Sequence, residues 1–260
     1  MTNSVGSSLG ITIKSEREIN LMRKSGVVTN NVKQLLRETI KSGMTTSDID
    51  VIAENQIRSE GAIPAFKGLY GFPATVCSSI NEEIVHGIPG NRVLLDGDIL
   101  SIDVGSIVEG YYSDSAFTMG IGSIKQKSVD LIQTTYDSLK IGIKEVKSGA
   151  RIGDISSAIQ QFAENSGYSV VREYVGHGIG RDLHEDPQIP NYGSPGEGPL
   201  LYPGMTIAIE PMLNIGGWQT KQKEDGWTVV TSDGSLSAHF EDTILVTNSG
   251  FEVLTNNEIS

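Results

Sequence analysis

The stretch KSGMTTSDIDVIAENQIRSEG (residues 41–61) returns 106 residues later as KSGARIGDISSAIQQFAENSG (147–167). Lys-Ser-Gly, the Asp-Ile pair and the closing Gly coincide. Further along, Gly97, Ile102 and Asp103 match Gly204, Ile209 and Glu210 with one residue inserted. Internal repeats are sought first, because missing one misreads a fold. Gly-Asp-Ile coincidences also arise by chance, so the repeat stands as an expectation. It predicts two helix–helix–strand halves, about 13–120 and 121–260, related by a pseudo-twofold. Asp103 and Glu210 would then be equivalent carboxylates facing each other.

Outward from the repeat, local signals place the elements. Ser15, with Glu18 three residues on, caps an apolar-periodic run that predicts a helix to about Ile40. Thr45-Thr46-Ser47 opens a second helix that Gly61 closes. Helices are also expected over about 125–146 and 152–165. Strands are expected at Thr75–Ile80, Val170–Val175, Met205–Pro211, Trp227–Thr231 and Phe240–Val246. Residues 101–114, SIDVGSIVEGYYSD, follow an apolar-alternating start at Ile99 and read as a Gly-punctuated hairpin through Gly105 and Gly110. Residues 1–12 are rich in Ser and Gly and read as a mobile tail.

Composition narrows the classes. The 260 residues can bury a sizeable core, and 38% hydrophobic with 20% charged residues is ordinary for a globular chain. A net charge of −12 argues against direct nucleic-acid binding. Cys77 is the one cysteine, which excludes an internal disulfide and fits a reducing cytoplasm. The N-terminus lacks a secretory layout, and no apolar run approaches a membrane span, so a cytoplasmic location is expected.

The chemistry-bearing signal is acids in β-prone surroundings. Asp103 and Asp114 sit where Asp is disfavoured, and an ionised carboxylate inside a sheet needs a cation. His177, within Gly-His-Gly-Ile-Gly, and Glu210 and Glu241, beside apolar strands, share that character. Singly, each could be an exposed strand end or an acid paired with Lys. Together, four carboxylates and an imidazole suit Mn, Fe, Co or Zn, and five such residues suffice for two divalent ions. The chemistry implied is hydrolysis. Cys77 has no neighbouring base, so it reads as a small core hydrophobe rather than a nucleophile.

The segments NEEIVHGIPG (81–90), SIDVG (101–105), YYSDSAFT (111–118), GHGIGRDLHEDPQIPNY (176–192), IAIEPM (207–212) and HFEDT (239–243) resemble type I methionine aminopeptidases in order, spacing and ligand type. The similarity runs from about residue 13 to 255. It implies the pita-bread fold, an α/β (α+β) structure of duplicated halves in which helices cover an antiparallel sheet. Residues 13–260 would form a single catalytic domain. It further implies that Asp103, Asp114, His177, Glu210 and Glu241 are the metal ligands, with Asp114 and Glu241 bridging. A metal-bridging hydroxide would attack, with Glu210 as general base. His86 would contact the substrate amide and His184 would stabilise the oxyanion. Phe66, Phe72, Cys77, His86 and Trp227 would wall the methionine pocket, with Leu69 and Phe66 standing where relatives often carry Tyr and Cys. Asp242 is assigned no role beyond a possible contact behind the ligands.

The implied activity is removal of N-terminal methionine ahead of a small second residue. The implied partner is the nascent polypeptide near the ribosome, met by a monomer of the compact bacterial form. Two other readings of the same fold are a proline-directed aminopeptidase and a non-enzymatic binding protein. The first usually carries a large N-terminal domain, and the second would have lost ligands that this chain retains.

Overall fold

The computed structural model describes residues 10–256. Four helices carry the repeat into three dimensions. Helix α1 (Glu16–Thr39) is capped by Ser15, whose backbone N–H donates to the Glu18 carboxylate at 2.8 Å. Helices α2 (Thr46–Ser59) and α4 (Ile152–Asn165) occupy equivalent positions of the two copies. At each entry the cap N–H donates to the acid three residues on, Thr45 to Asp48 at 2.8 Å and Arg151 to Asp154 at 2.7 Å. At each exit a glycine takes positive φ, 75° at Gly61 and 87° at Gly167, a conformation that a Cβ would strain. Helix α3 (Gln126–Lys144) packs on α4 across Gly142, where a Cβ would lie 2.7 Å from the Ile159 side chain.

The main sheet has nine strands, and its neighbouring pairs are antiparallel. Its order runs Ile63–Pro64, Ile99–Val108, Tyr111–Gly120, Glu241–Val246, Thr206–Ile209, Gly176–Gly178, Glu185–Ile189. Val76–Ile80 also pairs with Ile99–Val108, and Phe251–Val253 with Glu241–Val246. Strands from both sequence copies therefore share one sheet. The largest apolar cluster joins Val32 and Leu36 of α1, Ile49 and Ile57 of α2, and Ile155 and Ile159 of α4 to Ile102, Phe117, Ile207, Ile209 and Ile244 of the sheet. Alternation along the strands sends these residues to the helices and leaves the opposite face for other side chains.

Several expectations need correction. The hairpin's first strand does not end at Val104, just before Gly105. It continues to Val108, and the turn is Glu109-Gly110, with φ 49° and 81°. That two-residue, positive-φ loop matches strand twist, and Gly110 suits it. Gly105 instead permits close packing, since a Cβ there would lie 2.7 Å from the Ser113 carbonyl. The expected Val170–Val175 strand is confined to Ser169–Val170, beyond which Arg172 turns onto the rings of Tyr192 and Trp218. Of the expected tail, residues 1–9 lie outside the described residues. Ile11 is buried in the core, and the Thr12 hydroxyl donates to Glu185 at 2.5 Å. Among the described residues no helix is long and apolar enough to cross a membrane.

Candidate metal centre and substrate pocket

Register places the acids. Asp103 lies opposite Ala116, two residues from Asp114 on the partner strand, so the two carboxylates share a face. Glu241 lies opposite Ala116 from the other side, and the small Ala side chain leaves the space between them open. Asp242 pairs with Ile209, which sets Glu210, the next residue, beside Glu241. His177 pairs with Ala208 and so shares Glu210's face. Five consecutive strands thus aim four carboxylates and one imidazole at one spot. Thr243 steadies Asp114 by accepting from its N–H at 3.0 Å and donating to its carbonyl at 2.8 Å.

The side chains approach one another closely. His177 Nε2 is 4.0 Å from Asp114 Oδ2 and 3.7 Å from Glu210 Oε1. One ligand atom from each of Asp114, His177 and Glu241 lies within 4.8 Å of the others. His177 Nδ1 donates to the Gly178 carbonyl at 2.9 Å, which fixes the tautomer and leaves the Nε2 lone pair facing the acids. Asp103 Oδ1, Asp114 Oδ1 and Glu241 Oε1 are buried without a hydrogen-bond donor.

Burial pushes the Asp103 carboxyl up to about 7. Burial, then the charge of Asp103, raises Asp114 and Glu210; burial, then the charges of Asp114 and Glu210, raises Glu241. Among the described residues, the basic groups within 4 Å of Asp114, Glu210 and Glu241 are His177 and His239. Burial lowers these to about 4 and about 3, so neither supplies positive charge near neutral pH. A cluster of orphaned buried oxygens with no cation of its own fits a divalent metal.

Beside the acids lies a cavity of about 90 Å³. The five expected ligands line it, together with Phe66, Phe72, Cys77, His86, His184 and Trp227. Phe72 and Trp227 meet edge to face at 5.1 Å, and His184 meets His177 edge to face at 4.5 Å. His86 follows the Glu83–Val85 strand at φ 60°, an uncommon conformation for a non-glycine residue. The next residue, Gly87, must be glycine, because a Cβ would sit 2.2 Å from the Ser78 carbonyl. Burial, then His184, lowers His86 to about 4, and burial lowers His184. Burial, then Asp103, raises the Cys77 thiol well above its usual value, which opposes a nucleophilic role.

Three residues of this region escaped sequence reasoning. Leu183 and Tyr70 line the cavity. Tyr70 is 75% exposed, with its ring stacked on His184 at 6.0 Å. His239, whose Nε2 lies 3.9 Å from Glu241 and 4.0 Å from Glu210, was readable in principle, two residues before Glu241 in an extended stretch. Leu183 and Tyr70 carry no local signal.

Fold and site together define a metal-dependent hydrolase. The chain belongs to metallopeptidase family M24, which it matches over residues 20–248. Within that family its relatives include methionine aminopeptidases. Methionine aminopeptidase 1 of Bacillus subtilis (strain 168) is 52% identical over 245 residues, 94% of this chain and 99% of that protein. The solved structure of methionine aminopeptidase from Thermotoga maritima is 46% identical with a TM-score of 0.94, covering 95% of this chain and 100% of that one. A prolidase from Pyrococcus horikoshii OT3 shares the fold at 24% identity and a TM-score of 0.76, and the chain covers 63% of it.

Proposed function

We propose that this enzyme hydrolyses the first peptide bond of polypeptides that begin with methionine and carry a small second residue. The observation that carries this reading is the convergence of Asp103, Asp114, His177, Glu210 and Glu241 on one buried spot beside an aromatic-walled cavity. Those five residues would hold two divalent ions drawn from Co, Mn, Fe and Zn. When bound, the ions supply Lewis acidity and an acidified water. Glu210 would serve as the general base, a carboxylate able to accept a proton from the attacking water. His86, held neutral, meets the substrate amide, and His184 donates to the oxygen that gains charge. Phe66, Phe72, Cys77 and Trp227 wall the methionine side chain, whose thioether packs favourably at ring edges.

The catalytic unit would be a single domain from residue 13 to 260, with its halves meeting near residue 120, acting as a cytoplasmic monomer on nascent chains near the ribosome. The test is Mn²⁺-reconstituted cleavage of Met-Ala-Ser against Met-Leu-Ser and an Ala-Pro peptide. Met-Ala-Ser should be cleaved much faster. Equal cleavage of Met-Leu-Ser, or preference for the proline peptide, would sink the assignment.

A further inference from the structure

Behind the metal-facing surface, α1 contributes a polar stripe to the sheet alongside its apolar one. Ser25, Thr29 and Lys33, spaced four apart, are each buried. The Ser25 and Thr29 hydroxyls lie 2.8–3.0 Å from those of Ser106 and Ser113. Lys33 ends the stripe. Its ammonium donates to Ser115 Oγ at 2.5 Å and to Asp242 Oδ1 at 3.1 Å, with both charged side chains under 5% exposed. Asp242 Oδ1 also accepts from Thr255 at 2.8 Å, and Oδ2 accepts from Asn256 at 3.2 Å. Ser115 Oγ lies 2.6 Å from the Glu241 carbonyl and 3.0 Å from Asp242 Oδ1, within reach to donate to either.

The placement of this node is informative. Ser115 follows Asp114 in the chain and Asp242 follows Glu241, so alternation turns both to the face opposite the candidate ligands. The Tyr111–Gly120 and Glu241–Val246 strands are joined by two register pairs, Glu241 with Ala116 and Asp242 with Ser115. Asp242 is also paired with Ile209, the residue before Glu210. A short junction that must hold three metal-facing carboxylates in register is therefore pinned from behind by one ammonium, one hydroxyl and one carboxylate. A buried ion pair is weak evidence of stabilisation, since apolar substitutes often serve as well, and this one sits where position matters.

We propose that Lys33, Ser115 and Asp242 are positioning residues that hold Asp114, Glu210 and Glu241 in metal-binding register. The inference rests on the metal-binding reading above. It is tested on metal-free protein by calorimetric titration with Mn²⁺, thermal melting, and kinetics on Met-Ala-Ser. The variants are Lys33→Met/Asp242→Asn, which removes both charges and leaves none unpaired, and Ser115→Ala, which keeps the ion pair. Both should retain a near-wild-type melting temperature while losing about 10–100-fold in Mn²⁺ affinity and kcat, with KM little changed. Wild-type Mn²⁺ affinity in the folded variants would overturn the proposal, even if their melting temperature fell. If the double variant does not fold, Ser115→Ala decides on the same readouts. Wild-type protein that bound no Mn²⁺ would overturn the metal reading itself, and this proposal with it.

Discussion

His86 concentrates the site's demands on a single residue. It is half-buried, its backbone is left-handed, and its neighbour must be glycine. Replacing it with Asn should cut turnover about 10²–10⁴-fold while leaving bound Mn²⁺ unchanged, as checked by steady-state kinetics and metal analysis. Loss of metal in that variant would place His86 among the ligands instead. The same residue predicts a pH dependence. Its pKa falls from 6.5 to about 4 on folding, so between those values the unfolded chain binds the proton and the native one does not. The stability it contributes is fully present above pH 6.5 and fades as pH drops towards 4. The loss of melting temperature of metal-free protein across that window should be smaller in His86→Asn than in wild type. At this scale the sequence was most legible where a residue contradicts its surroundings. Asp103 and Asp114 in a β-prone run announce a cation. Leu183 and Tyr70, ordinary in type and setting, announce nothing.

Elements differ in how much of their information is local. Helices α2 and α4 are bounded by a cap acid three residues in and a left-handed glycine at the end, and both signals sit in the chain itself. Gly176–Gly178 and Glu185–Ile189 carry no such pattern. The second of these alternates charge, proline and amide, with burial confined to Pro187 and Ile189, and pairing holds both strands in place. In Gly178 the requirement is spatial, because a Cβ there would lie 2.1 Å from the Asp186 carbonyl. Gly178→Ala should therefore push these strands apart and carry His177 away from Glu210. A drop of about tenfold or more in Mn²⁺ affinity is expected by titration, together with a lower melting temperature. Unchanged affinity would mean that His177 tolerates the shift and contributes little to binding.

Across the whole molecule, the candidate ligands come from residues 103 to 241 and meet in one sheet that both copies of the repeat build. A cation bound there acts as a cross-link between distant parts of the chain and favours the folded state by mass action. Mn²⁺ at about one hundred times its dissociation constant should add about 2.7 kcal/mol of stability. The melting temperature should therefore rise with the logarithm of Mn²⁺ concentration and fall when EDTA is added. A melting curve indifferent to both would refute metal binding at this site.

By itself the sequence pointed to the four helices, the duplicated helical units and the acids and imidazole that line one cavity. Each of these rests on a preference expressed within a few residues: a cap, a period, or an acid where none should be. Beyond the hairpin at Glu109-Gly110, tertiary structure alone decided which strands become neighbours. Through that register, Ala116 leaves the gap between Asp103 and Glu241, and Lys33 comes to lie behind the candidate ligands against Asp242. Those relations join residues more than a hundred positions apart, where local preference carries no information. Burial of the two faces of one sheet sets them.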